Sequence, residues 1–66
     1  MPLFTPLHPE VTVQLTGTDG NAFAIIGKVS QALRRAKIDP APFQAEAMSG
    51  DYDNLLMTAM RWVDVE

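Results

Sequence analysis

The chain has 66 residues, 47% of them hydrophobic and 20% charged, and a formal net charge of −3. That length holds one domain, and the composition is that of a globular chain rather than a disordered one. Cysteine is absent and histidine occurs once, which excludes a disulfide framework and a cysteine–histidine zinc site.

A core this small leaves folding close to balance, because chain entropy nearly cancels apolar burial. Natural chains of this size gain stability from disulfides, a metal or a partner subunit. With the first two closed, a homo-oligomer or a contact with another protein is expected. The longest apolar run, Ala22 to Ile26, is far short of the ~20 residues that span a bilayer. The start of the chain has neither a basic stretch nor an apolar block, so no secretory leader and a cytoplasmic location are expected.

Residues 1–10 carry Pro2, Pro6 and Pro9 and predict an extended arm, since proline at this density blocks a helix. Leu3, Phe4 and Leu7 give the arm apolar side chains that can dock on the body. Residues 11–66 then form the single folded domain. Val11-Thr12-Val13-Gln14-Leu15 alternates apolar and polar, which predicts a half-buried strand with Val11, Val13 and Leu15 inward. The following Thr16-Gly17-Thr18-Asp19-Gly20-Asn21 reads as a loop leading into a helix.

Ala22, Ile25, Ile26, Val29, Ala32, Leu33 and Ala36 repeat at helical spacing on one stripe, with Lys28, Gln31, Arg34 and Arg35 on the other side. Asp19 or Asn21 suits its N-terminus, and Arg34, Arg35 and Lys37 suit its carbonyl end. Asp39-Pro40 predicts a stop and a new start, giving a short helix to about Met48 that ends at Ser49-Gly50. A third helix follows, capped by Asp51 or Ser49, with Tyr52, Leu55, Leu56, Ala59, Met60 and Val63 on its stripe. Trp62 to Glu66 also alternates, so a helix to about Arg61 and a short terminal strand are expected. That strand needs a pairing partner, and Val11–Leu15 can supply it. The predicted class is therefore α+β: strand, long helix, short helix, third helix, and a C-terminal strand paired with the first.

The segment Val11 to Val29, with Ala32-Leu33-Arg34-Arg35-Ala36, resembles a group of small uncharacterised proteins of bacterial, plasmid and phage genomes. The tail Glu46 to Leu56, closed by Trp62-Val63-Asp64-Val65-Glu66, resembles the same group. The resemblance implies an accessory protein of phage or mobile-element origin and transfers no site.

Catalytic constellations are sparse. His8 lies in the arm, the serines are Ser30 and Ser49, and Asp51 with Asp53 fits helix capping better than acid–base chemistry. Asp51-Tyr52-Asp53 opens like a calcium loop but continues into Leu55-Leu56-Met57, which offers no oxygen ligands. No enzyme, cofactor or metal is expected. The Gly17–Asn21 loop, at a helix start, is a candidate for a small phosphate-bearing ligand, although it lacks a lysine and carries Asp19.

Charge is unevenly spread. Through Ile38, four cations against two acids give +2; from Asp39 onward, one cation against six acids gives −5. Lys28, Arg34, Arg35 and Lys37 thus form a candidate nucleic-acid contact at one helix end. A helix-turn-helix drawn on the second and third helices would, however, present Asp51 and Asp53 to phosphates. Protein contact is the leading expectation. Phe23, Ala24 and Gly27 lie beside the stripe of the long helix, and Met57 and Trp62 lie off that of the third. Phe23, Gly27, Met57 and Trp62 are the candidate interaction residues, unless the proline arm covers them.

Overall fold

A computed structural model describes residues 6–15 and 20–66. The elements are β1 (His8–Val13), α1 (Ala22–Arg35), α2 (Ala41–Ala47), α3 (Tyr52–Trp62) and β2 (Val63–Val65). The class is α+β, and the two strands pair with each other.

The pairing is parallel, with His8 opposite Val63, Thr12 opposite Asp64 and Val13 opposite Val65. Parallel strands need a crossover connection, and here the three helices provide it. Between the first two pairs β1 advances four residues while β2 advances one, so β1 bulges. Pro9 falls inside this bulge, where a missing N–H breaks no ladder bond. Beyond the strand ends the ladder continues: Glu66 N–H donates to the Val13 carbonyl (2.9 Å) and Leu15 N–H to the Glu66 carbonyl (2.8 Å). Val11, Val13 and Val63 are buried while Thr12 and Asp64 are exposed, so the sheet is covered on one face only.

The strand therefore starts at His8, three residues before the alternation at Val11 suggests. The expected boundary between a 1–10 arm and an 11–66 domain shifts accordingly, because His8, Pro9 and Glu10 belong to the sheet. Leu7 is tied as well, its N–H donating to the Arg61 carbonyl at 2.8 Å. Leu3 and Phe4 lie outside the described residues, as do Thr16 to Asp19 of the loop.

Local chemistry sets each helix boundary. Asn21 caps α1 by accepting the Phe23 N–H at 2.8 Å. At the other end Ile38 N–H reaches the Leu33 carbonyl (2.8 Å) and Lys37 N–H the Arg34 carbonyl (2.9 Å), a Schellman arrangement. Lys37 holds the left-handed position with φ 64°, and Ile38 packs back on the core. Asp39 accepts the Ala41 N–H at 3.0 Å and so opens α2 across Pro40. Asp51, rather than Ser49, caps α3, accepting the Asn54 N–H at 2.9 Å. The Ser49 hydroxyl instead donates back to the Glu46 carbonyl.

Val29, Leu33, Phe43, Ala59 and Val63 are wholly buried and draw on every helix and on β2. The α1 stripe is as expected except that Ala36, its last member, is exposed beyond the helix end. Ser30 is buried beside that stripe and accepts a hydrogen bond from Gln44 Nε2 at 2.9 Å. On α3 the stripe is rotated: Leu55, Thr58 and Ala59 face inward, while Tyr52 and Met60 are exposed. The rotation is possible because the Thr58 hydroxyl donates to its own helix, to the Asn54 carbonyl at 2.7 Å, and needs no water.

Candidate functional site: an apolar groove at the start of α1 and α3

The caps at Asn21 and Asp51 set the first turns of α1 and α3 side by side. The Tyr52 hydroxyl donates to the Gly20 carbonyl, which latches the two helix starts together. The chain leaving α2 turns at Gly50, where a Cβ would stand 2.9 Å from the Asn54 Cβ. Only glycine fits that turn unchanged. Asn54 also donates to the Glu46 carbonyl at 3.0 Å, which fixes the end of α2 against α3.

Between these elements lies an open groove of about 300 Å³. It is lined by Ala22, Phe23 and Ile26 of α1, by Ala47 and Met48 at the end of α2, by Gly50 and Asp51, and by Tyr52 and Leu55 of α3. Ile26, Ala47 and Leu55 form its buried floor, and Phe23, Met48 and Tyr52 its exposed rim. Phe23 is 78% exposed, a large cost in apolar hydration for a side chain held on a well-formed helix. Among the described residues Asp51 is the only charged one in the lining, and its Oδ1 is already engaged as the α3 cap.

The four candidate interaction residues separate. Phe23 borders the groove, and Gly27 lies one turn further along the same exposed flank of α1. Met57 is 63% exposed but points about 160° around α3 from Leu55, away from the groove. Trp62 is half-buried and sits roughly 15 Å along α3 from Tyr52. Its ring packs edge-on against Phe43, centroids 5.8 Å apart, and tilts against His8 at 5.7 Å. Its Nε1–H donates to Glu46 Oε2 at 3.0 Å, and Arg61 pairs with the other oxygen of the same carboxylate. Trp62 is thus a packing residue, tied to a carboxylate 16 residues earlier on another helix, which periodicity alone does not couple to it.

Met48 and Tyr52 are the rim residues that sequence reasoning missed. Met48 falls beyond a helix end, where no stripe assigns a side, and Tyr52 falls on the apparent core stripe. The signal for Tyr52 was its hydroxyl, which has to reach a partner or water.

Lys28, Arg34, Arg35 and Lys37 are all exposed. Lys28 and Arg35 share one helix face, whereas Arg34 lies about 100° from Arg35 around the axis and Lys37 follows the C-cap. Arg34 and Arg35 stand in the last turn of α1 with Lys37 just beyond, and Lys28 lies about two turns earlier, so the four do not fall on one stripe. The loop proposed for a phosphate-bearing ligand is described only at Gly20 and Asn21. There the Asn21 side chain already takes the Phe23 N–H and the Gly20 carbonyl already accepts from Tyr52.

Among the described residues no cluster of three or more His, Asp or Glu side chains stands at metal-binding spacing. No described helix is long and apolar enough to cross a membrane. No family model, curated protein or solved structure matches this chain.

Proposed function

We propose that this chain is a non-enzymatic interaction domain whose working surface is the groove at the start of α1 and α3. The observation that carries this reading is Phe23, 78% exposed on the rim of an apolar cleft whose neighbours Met48 and Tyr52 are also exposed. Isolated surface hydrophobics need no explanation, but a contiguous set around a concave floor is what a contact site looks like. The lining offers few polar groups for a small polar ligand, and the Tyr52 hydroxyl proton and Asp51 Oδ1 are already engaged within the fold. A small-molecule site keeps a few convergent polar groups for orientation. An apolar side chain from another polypeptide fits the chemistry better.

Titration of the ¹⁵N-labelled chain with the apolar dye anilinonaphthalene sulfonate tests the reading. Shifts concentrated at Phe23, Ile26, Met48, Tyr52 and Leu55, and weakened in Phe23→Ser, support it. Binding elsewhere, or none at millimolar dye, overturns it.

A further inference from the structure

Gly27 occupies the middle of α1, is exposed, and would meet none of the described residues within 4 Å if it carried a Cβ. Glycine in a helix interior is less favourable than alanine by roughly 1 kcal/mol, and no described residue requires it here. One turn earlier stands Phe23, the most exposed of the large apolar side chains described. A bare backbone patch and a projecting ring therefore lie next to each other on one face.

We propose that the occupant of this face is a second copy of the same chain, the two α1 helices crossing antiparallel about a twofold axis at the level of Ile25. This rests on the reading of the groove as a contact surface and names its partner. In an antiparallel pair related by a twofold at position 25, residue 23 of each helix faces residue 27 of the other. The contact is then reciprocal, as an isologous interface demands: each Phe23 ring lies over the other copy's Gly27, and the missing Cβ lets it close on the backbone. The same operation covers both grooves at once, because Phe23 stands on the groove rim.

Charge supports the antiparallel sense. The cations of α1 stand at its end, Arg34 and Arg35 in the last turn, with Lys37 just beyond. Asp51 stands at the other end, lining the groove with Ala22 and Phe23 at the start of α1. With the axis at the level of Ile25, the twofold directs the cationic end of each α1 past the start of the other copy's α1, Arg34 reaching about 9 Å beyond the level of its Ala22, on the side where that copy carries Asp51. A parallel pairing would set like charges together at both ends.

Sedimentation velocity from 10 µM to 1 mM, together with isotope-filtered NOE spectra on an equal mixture of ¹³C-labelled and unlabelled chain, tests the inference. A monomer–dimer equilibrium with intermolecular NOEs between the Phe23 ring and Gly27 Hα is expected. Gly27→Leu, which fills the bare patch, should raise the dissociation constant at least about tenfold while leaving the thermal midpoint of the monomer, measured at low concentration, equal or higher. A monomer throughout the range, or a dimer whose intermolecular NOEs fall elsewhere, overturns the inference. So does a Gly27→Leu chain that dimerises as well as the parent. The dye titration separates the two levels. A monomer that still takes the dye at Phe23 and Met48 keeps the groove and loses the second copy as its occupant; a monomer that takes none loses both.

Discussion

Trp62 Nε1 donates to Glu46 Oε2 at 3.0 Å across the α2–α3 junction, and Arg61 pairs with the same carboxylate. One side chain of a short helix thus fixes the last turn of α3 at the point where the chain becomes β2. Trp62 in turn packs on Phe43, which is wholly buried. Removal of the carboxylate should be felt mainly through the indole N–H, because Arg61 is exposed and its ion pair is screened by water. Glu46→Ala is expected to lose about 1 kcal/mol in urea unfolding, with a red shift of Trp62 emission as the ring gains solvent. An unchanged midpoint and emission would remove this contact from the account of the fold.

Lys37 holds φ 64° at the Schellman turn after α1, a conformation in which a Cβ is strained. Lys37→Gly relieves that strain and keeps both capping hydrogen bonds, so thermal denaturation should show a gain of about 0.5–1 kcal/mol. A loss would mean that the lysine side chain contributes more to this helix end than the backbone strain costs.

Gly50→Ala should act in the opposite sense. The new Cβ would stand 2.9 Å from the Asn54 Cβ and 3.0 Å from its Cγ, and Asn54 is itself held by the Glu46 carbonyl. The turn or the start of α3 must shift, at a cost of about 1–2 kcal/mol. Amide shifts should change at Glu46, Asp51 and Asn54, and weaker dye binding should accompany them because Gly50 lines the groove. Denaturant unfolding and a proton–nitrogen correlation spectrum check both.

The fourth expectation separates stability from association. Gly27→Ala adds a methyl group that meets none of the described residues. At 10 µM it should raise stability by about 1 kcal/mol through helix propensity alone. Measured by urea unfolding at low concentration, a decrease would show that Gly27 serves a contact within the monomer.

The order of elements was legible because the signals were strong and local: helical spacing from Ala22 to Leu33, alternation at Val11–Val13, and caps at Asn21, Asp39 and Asp51. The two strand ends were also readable as partners, since a lone strand leaves backbone groups unpaired. What was not legible came from long-range choices. The start of β1 hid behind Pro9, which reads as a breaker in sequence but sits harmlessly in a bulge. The rotation of α3 depended on Thr58 satisfying its own hydroxyl, and a hydropathy stripe scores threonine as polar. Of the candidate site, Phe23 and Gly27 were readable as apolar positions outside the α1 stripe. Trp62 was not separable from them, because Phe43 and Glu46 of α2 and His8 of β1, which hold it, come from two other parts of the chain.

Phe23→Ser tests most directly whether the α1 flank is a contact surface rather than part of the fold's own core. In urea unfolding at low micromolar concentration, the substitution should leave stability within about 0.5 kcal/mol of the parent, as expected for a surface side chain. A loss of about 2 kcal/mol or more, the scale of a buried aromatic, would contradict the account by making Phe23 a residue that the monomer itself needs.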